Sequence, residues 1–194
     1  MVVIKAVVFD CFGVLVSDSL AHIVSDFGVS LEDIEEIVGL VVAANNGSIK
    51  PDDYRKAIAD KLGVSTEEYI ERVKQEEQIN TQLLDYIKIL RTRYKTAILS
   101  NVSSLESLAS RFGDGQLEQC FDLVIASGQI GHAKPEAQAY AITASKLGLM
   151  LSECVLIDDR IDYCDAAIGV GMQAIEYHNF EQMKRDLNKI LSGS

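Results

Sequence analysis

The chain of 194 residues is 48% hydrophobic and carries a formal net charge of −11. The apolar fraction is large enough to fill a packed core, which excludes an intrinsically disordered protein. The acidic balance and the lack of a basic stripe argue against nucleic acid as a partner, although one lysine and a metal ion can still draw a small anion into a crevice.

The first apolar segment, Val2–Phe9, is rich in β-branched and aromatic residues and predicts a strand buried on both faces. From residue 17 to residue 79 the apolar residues recur at helical spacing between capping boxes and helix stops. We expect this helical block, residues 17–79, to form a small cap domain over the active edge of a sheet. Residues 1–16 and 80–194 are expected to form the core domain.

From Leu83 onward, helices and strands alternate along the chain. The predicted strands are Lys95–Ser100, Phe121–Ala126, Cys154–Ile157 and Gln173–Glu176, and the helices beside them are Leu83–Arg93, Ser104–Phe112, Pro135–Leu147, Asp162–Val170 and Phe180–Leu191. Such alternation indicates βαβ units, and therefore an α/β fold with a doubly wound parallel sheet and helices on both of its faces.

Membrane and export features are missing from the sequence. No stretch approaches the length of a transmembrane helix, and the amino terminus does not resemble a secretory leader. Cys11, Cys120, Cys154 and Cys164 lack paired CxxC spacing and lie in or beside apolar segments, which favours reduced, buried thiols. We therefore expect a cytoplasmic protein without a membrane partner, and the sequence gives no indication of its oligomeric state.

Polar side chains follow four of the predicted strands. Asp10 closes the first, Ser100–Asn101 the second and Asp158–Asp159 the fourth, while Lys134 comes shortly after the third. Because the carboxyl ends of parallel strands lie along one edge of a sheet, these residues can converge on one crevice. Carboxylate oxygens suit Mg²⁺, and a carboxylate such as Asp10 can attack phosphorus. A hydroxyl and an ammonium group can hold phosphoryl oxygens.

Each of these residues also has an ordinary structural interpretation. Asp10 could cap a turn, Asp158–Asp159 could form a solvated acidic turn, and Ser100–Asn101 could cap the next helix. Lys134 alone could be a solvated surface residue. Their joint placement at the strand ends nevertheless favours a metal site that handles phosphate.

The same residues lie in four motifs: Phe-Asp-Cys-Phe-Gly-Val-Leu, Leu-Ser-Asn, Gly-His-Ala-Lys-Pro-Glu and Leu-Ile-Asp-Asp-Arg. In these motifs, their order and their spacing, the chain resembles the haloacid dehalogenase-like (HAD) hydrolase superfamily over nearly its whole length. The closest likeness is to the group with a helical cap inserted after the first strand. The resemblance implies a Rossmann-like core, with Asp10 as the covalent nucleophile.

The resemblance also implies roles for the other motif residues. Ser100 and the backbone of Asn101 would bind the phosphoryl group, and Lys134 would hold nucleophile and substrate together. The cofactor would be Mg²⁺, carried by Asp158 and Asp159 with the help of Asp10 and the carbonyl oxygen of Phe12.

Two residues depart from the family pattern. Phosphatases of the family usually carry a second Asp two residues after the nucleophile, where this chain has Phe12. That Asp protonates the leaving oxygen and later activates water, and such acid–base help contributes about 10²–10⁴-fold in rate. Dehalogenases of the family carry an aromatic residue there, but they work without metal and do not usually keep an acidic pair followed by Arg. Tyr163 is the second departure, since relatives often have Asn at that place.

We therefore expect a Mg²⁺-dependent phosphatase of small phosphorylated metabolites that acts through an aspartyl-phosphate intermediate and is weakened or specialised by Phe12. One alternative is a metal-independent 2-haloacid dehalogenase that uses the same Asp10. Another is an inactive binding or regulatory protein that has kept the fold.

Overall fold

A computed structural model of the chain describes residues 3–45 and 47–193. Met1, Val2, Asn46 and Ser194 lie outside the described residues, and with them the start of the predicted strand Val2–Phe9. The strands of the described part are β1 (Ala6–Phe9), β2 (Lys95–Ser100), β3 (Leu123–Ala126), β4 (Cys154–Asp158) and β5 (Gln173–Glu176).

Most of the rest of the described chain is helical. The α-helices are α1 (Ser19–Phe27), α2 (Leu31–Asn45), α3 (Pro51–Leu62), α4 (Thr66–Glu76), α5 (Thr81–Leu90), α6 (Leu105–Ala109), α7 (Gln116–Cys120), α8 (Ser127–Ile130), α9 (Ala137–Leu147), α10 (Ile161–Gly169) and α11 (Phe180–Ser192). A 3₁₀ turn, Leu151–Glu153, leads into β4.

The sheet is parallel throughout, as predicted, with the strand order β3-β2-β1-β4-β5. The central strand β1 pairs on one side with β2 and on the other with β4, where Phe9 lies opposite Ile157. All five carboxyl ends of these strands therefore lie along the same edge, and the residues just after β1 and at the end of β4 are neighbours.

Two apolar layers cover the two faces of the sheet. Successive residues of β1 alternate between them, since Val7 and Phe9 belong to one buried cluster and Ala6 and Val8 to the other. Helices α5 and α11 pack against the first cluster, and helices α9 and α10 against the second. This arrangement confirms the predicted doubly wound α/β fold.

Helices α1 to α4 pack around an apolar cluster of their own. Its buried members come from all four helices: Ile23, Ile37, Ile58, Ala59, Leu62 and Tyr69. The ends of these helices follow the signals in the sequence, since the Ser65 hydroxyl caps α4 and Gly63 ends α3 in the left-handed conformation.

Two antiparallel chain segments join this four-helix block to the sheet. Val16 forms a β-bridge with Ile79, the Ser17 amide donates to the Gln78 carbonyl at 3.0 Å, and the Ser17 hydroxyl donates to the Glu76 carbonyl at 2.7 Å. The two segments that connect the helical block to the sheet are thus hydrogen-bonded to each other next to the end of β1. None of the described helices has the length and apolar content needed to cross a membrane.

Some boundaries differ from the prediction. Strand β3 begins at Leu123 rather than Phe121, because Phe121 still ends the short helix α7. Helix α6 ends at Ala109, and the predicted remainder to Phe112 continues as turns in which the amides of Arg111 and Phe112 bond three residues back. Helix α9 begins at Ala137 rather than Pro135, because the backbone of Glu136 is extended. The Lys134–Pro135 peptide is cis.

Candidate active site

Carboxylates from two neighbouring strands meet at the carboxyl edge of the sheet. Asp10 follows β1 directly, and its amide donates to the carbonyl of Ile157 at 2.8 Å, which fixes it beside the end of β4. Asp158 is the last residue of β4, and Asp159 follows it. Asp10, Asp158 and Asp159 each place one carboxylate oxygen so that all three oxygens lie within 4.8 Å of one another. Hard oxygen ligands at this spacing can hold a divalent cation.

The ammonium group of Lys134 lies between two of these carboxylates. Its Nζ donates to Asp10 Oδ1 at 2.7 Å and to Asp158 Oδ2 at 2.5 Å, and its side chain is fully buried. Burial by itself would lower the pKa of Lys134, but the charges and hydrogen bonds of the two aspartates outweigh it and raise the pKa. Lys134 is therefore a permanent cation inside the site.

Two of the aspartates bind protons more tightly than usual. Burial, followed by the neighbouring Asp158 charge, raises the pKa of Asp159 to about 6. Burial is also the largest cause for Asp10, whose pKa rises from 3.8 to about 7 even though Lys134 opposes the shift. Buried carboxylates that lie close together repel one another when they are ionised, and a bound cation would offset this electrostatic repulsion.

Ser100 stands at the end of β2, next to β1, with only 1% of its surface exposed. Its hydroxyl has no hydrogen-bond partner among the described residues. The alternative role of capping the next helix is filled instead by Ser104, whose hydroxyl accepts from the Ser107 amide. A buried hydroxyl without a partner is costly, so Ser100 is a natural donor for a ligand at this edge.

The side chain of Asn101 is turned toward the Lys134 loop. Its Oδ1 accepts from the Lys134 amide at 2.8 Å, and its Nδ2 donates to the Lys134 carbonyl at 2.8 Å. The backbone of Asn101 follows Ser100 directly at the edge of the sheet. The sequence pattern predicts the position of Asn101 at the edge of the sheet, but it does not predict this pairing with Lys134.

Phe12 and Gly13 form the turn after Asp10. The ring of Phe12 packs against the apolar layer and lies 5.7 Å from the guanidinium carbon of Arg111. Phe12 also forms a β-bridge with Val16. The two hydrogen bonds of this bridge are made by the residues on either side of Phe12: the Cys11 carbonyl accepts from the Val16 amide, and the Gly13 amide donates to the Val16 carbonyl. The carbonyl of Phe12 is therefore not used by this bridge.

Two contacts close to the site are not predicted by the sequence pattern. Arg111, which follows α6, forms an ion pair with Glu77 at 3.2 Å. Glu77 lies in the segment that leads from α4 back to the sheet, so this ion pair joins the two parts of the chain close to Phe12. Tyr163, noted only as a departure from the family pattern, accepts a hydrogen bond from Asn101 and lies near the Lys134 ammonium. Neither contact carries a local sequence signal, because the partners are 34 and 62 residues apart.

The four cysteines are free and buried, as expected. Cys11, the one beside Asp10, faces the apolar layer, and burial together with the Asp10 charge raises the pKa of its thiol. It is therefore an inert packing residue rather than a nucleophile.

Comparison with known protein families identifies the family of this chain. The model of the haloacid dehalogenase-like hydrolase family matches residues 4–171. The chain therefore belongs to the haloacid dehalogenase-like hydrolases, and it is a hydrolase by that membership.

Named relatives include phosphatases. Phosphatase MT3486 of Mycobacterium tuberculosis is 30% identical over 88% of this chain and 86% of its own length. D-ribitol-5-phosphate phosphatase of Bacteroides thetaiotaomicron is 26% identical over 97% of this chain and 99% of its own. A solved HAD family enzyme of Bacteroides thetaiotaomicron, in its magnesium complex, superimposes with a TM-score of 0.75 at 22% identity, over 95% of this chain and 98% of that one. The last comparison bears on the fold alone.

Proposed function

We propose that the protein is a Mg²⁺-dependent phosphatase of small phosphorylated metabolites that works through an aspartyl-phosphate intermediate. The observation that carries the proposal is the cluster of Asp10, Asp158 and Asp159 around the buried ammonium of Lys134. Two relatives that align with most of this chain are named as phosphatases, and one of them acts on a sugar-alcohol phosphate by its name.

The donor set fits Mg²⁺. The carboxylates of Asp10, Asp158 and Asp159 and the carbonyl oxygen of Phe12 are the residues that would hold it, and all are the hard oxygen ligands that Mg²⁺ prefers. When bound, the ion supplies positive charge that offsets the crowded carboxylates and draws the phosphate into place. The oxygens of Asp158 already accept from Lys134 and from the Arg160 amide.

Asp10 is the nucleophile in this proposal. One of its carboxylate oxygens forms a bond to phosphorus while the bond from phosphorus to the ester oxygen breaks; the ester oxygen leaves with the bonding electron pair and takes its proton from solvent water. Water then cleaves the aspartyl phosphate, which releases inorganic phosphate and restores Asp10. Lys134 and the hydroxyl of Ser100 hold the phosphoryl oxygens and stabilise the charge that moves onto them in the transition state.

Phe12 limits which esters react well. A phenyl ring cannot give a proton to the departing oxygen or take one from the attacking water, and such help is worth about 10²–10⁴-fold. Alkyl phosphates, which leave as strongly basic alkoxides, should therefore turn over slowly. Aryl, acyl and sugar-1-phosphates need less protonation of the leaving group and should be better substrates.

We assign the choice of substrate to the four-helix block, residues 17–79, as a cap domain, with residues 1–16 and 80–194 as the core domain. The block has its own apolar cluster and is joined to the sheet by the paired segments beside Asp10. The substrate we propose is a small molecule, because the net charge of −11 disfavours nucleic acid. The four free, buried thiols fit a reducing compartment, and we propose the cytoplasm.

Phe12 also supports a second candidate, a 2-haloacid dehalogenase. A halide leaves without a proton, so an aromatic residue two places after the nucleophile does no harm there. The acidic pair Asp158–Asp159, which together with Asp10 can hold a metal ion, favours the phosphatase. An inactive binding protein is the third candidate, and again Phe12 is the residue that supports it.

A substrate panel with and without metal tests the proposal. Aryl, acyl and sugar-1-phosphates are expected to be hydrolysed with Mg²⁺ and not with EDTA. Equal hydrolysis in EDTA would overturn the metal-dependent mechanism. Halide release from 2-chloropropionate in EDTA would select the dehalogenase, and inactivity on the whole panel would select the binding protein.

A further inference from the structure

The main chain of Lys134 is held on both of its polar groups by one side chain. Asn101 accepts from the Lys134 amide and donates to the Lys134 carbonyl, each at 2.8 Å. A carboxamide used in this bidentate way fixes both the position and the direction of the backbone from which the Lys134 side chain starts. We call this pair of hydrogen bonds the Asn101 clamp.

Tyr163 touches the clamp and the ammonium group that depends on it. Its hydroxyl oxygen accepts from Asn101 Nδ2 at 3.2 Å, and the Lys134 Nζ lies 5.1 Å from the centre of its ring. The guanidinium carbon of Arg160 lies 4.3 Å from the same ring, and Arg160 is held by two hydrogen bonds to Asp162. Cations at these distances are attracted to the face of an aromatic ring.

We infer that Tyr163 is a positioning residue, which keeps the Asn101 clamp closed and covers the Lys134 ammonium so that it points at Asp10 and Asp158. The inference rests on the proposed function, in which Lys134 holds the transferring phosphoryl group. Nδ2 of Asn101 has two N–H groups, and with both engaged the carboxamide cannot rotate away from Lys134. A catalytic cation displaced by about 1 Å can cost up to about 10²-fold in rate.

A double-mutant cycle tests whether Tyr163 acts through Asn101. Tyr163→Phe keeps the ring and removes the hydroxyl, and we expect kcat on an aryl phosphate to fall about tenfold with KM changed less than about threefold. Asn101→Ala should lower kcat at least as much, and adding Tyr163→Phe to it should cause no further loss. Multiplicative losses in the double mutant would overturn the inference, because the two residues would then act independently.

Tyr140→Phe is the matched control. Tyr140 is buried beside the same residue, but its hydroxyl donates to the Tyr163 carbonyl at 2.9 Å rather than to the clamp. We expect its kcat to stay within about twofold of the wild type. A tenfold loss of kcat in Tyr140→Phe as well would mean that the effect of Tyr163→Phe comes from disturbed packing, and this would contradict the inference.

A second measurement does not need turnover. The Lys134 amide is expected to exchange its hydrogen about tenfold faster in Asn101→Ala and in Tyr163→Phe than in the wild type, and not in Tyr140→Phe. Unchanged exchange in Tyr163→Phe would overturn the positioning role. If the wild type hydrolyses no phosphate ester, the proposed function fails, whereas amide exchange still decides whether Tyr163 holds the clamp.

Discussion

The carboxylate of Asp159 fills the space that a side chain at Gly13 would need. A Cβ atom on Gly13 would lie 2.2 Å from Asp159 Oδ2 and 2.4 Å from Asp159 Cγ. Gly13 also has a φ of +85°, a conformation that other residues rarely adopt. Gly13 thus has two roles: it turns the chain after Asp10, and it leaves room for Asp159, the residue that follows β4, to lie beside the proposed nucleophile.

The first prediction concerns this contact. Gly13→Ala should push Asp159 out of the cluster and lower the affinity for Mg²⁺ by at least about tenfold, as measured by calorimetry. The matched control is Gly148→Ala, because Gly148 has a φ of +70° but no atom within 4 Å of its Cβ position. The control should lose a little stability and keep its Mg²⁺ affinity. Equal Mg²⁺ binding by Gly13→Ala and the wild type would contradict the placement of Asp159 at the metal.

The second prediction concerns Ser100. Its hydroxyl is buried without a partner among the described residues, so Ser100→Ala should leave the Tm of the ligand-free protein unchanged or slightly raised. The affinity for orthophosphate should fall about tenfold, because the hydroxyl is proposed to bind it. Ser127→Ala should instead lower the Tm and leave the affinity for orthophosphate unchanged, since the Ser127 hydroxyl bonds the carbonyls of Asn45 and Val102. A clear loss of stability in Ser100→Ala would show that the hydroxyl has a structural use.

The third prediction concerns Phe12. Phe12→Asp places a carboxyl group two residues after Asp10 and should raise kcat/KM for alkyl phosphates by about 10²-fold, with much less change for acyl phosphates. Phe12→Asn introduces a side chain of nearly the same shape as Asp but without an ionisable group, and it should not raise kcat/KM for alkyl phosphates. An equal gain with Asn would mean that the aromatic ring limits the reaction by its size rather than by the missing proton transfer.

The fourth prediction concerns pH and stability. Folding raises the pKa of Asp10 from 3.8 to about 7 and that of Asp159 from 3.8 to about 6, so these two groups hold more protons in the folded protein than in the unfolded chain between about pH 5 and 7. The free energy of unfolding therefore falls as pH rises through this range. The stability that the protein gains from a protonated Asp10, relative to an ionised one, is lost above pH 7. Without metal, the Tm should drop by about 5 °C between pH 5 and pH 7.5.

Two comparisons check the origin of that drop. Asp10→Asn removes one of the titrating groups, so the slope of Tm against pH should be smaller in this variant. Saturating Mg²⁺ binds the ionised carboxylates of the folded state, so it should stabilise the wild type more at pH 7.5 than at pH 5. A Tm that rises from pH 5 to pH 7.5 in the absence of metal would contradict the raised pKa values.

The sheet could be predicted because its signals are local. Strands β1 to β4 are short, largely apolar runs, and the polar residue at or shortly after the end of each marks the edge where a parallel sheet gathers its functional groups. Asp10 and Asp158 are 148 positions apart in the chain, yet their neighbourhood follows once β1 and β4 are known to be adjacent. The short helices α7 and α8, of five and four residues, were missed because such lengths show no helical period.

The contacts around Lys134 could not be predicted in the same way. Sequence motifs named Asn101 as a backbone ligand of phosphate and gave no role to Tyr163. Asn101 bonds to Lys134 across 33 residues and to Tyr163 across 62 residues, and both hydrogen bonds depend on how two loops and helix α10 pack. Spacing along a chain predicts which side chains reach the edge of a sheet, but it does not predict how loops orient them.

Trapping of the phosphorylated nucleophile tests the central claim most directly. Since Phe12 cannot activate water, the aspartyl phosphate should be long-lived, and rapid acid quenching during turnover of an aryl phosphate with Mg²⁺ should preserve it. Mass spectrometry is expected to find the phosphoryl group on Asp10 in the wild type and none in Asp10→Asn or in the presence of EDTA. Turnover without a phosphoryl group on Asp10, or undiminished turnover by Asp10→Asn, would contradict the account.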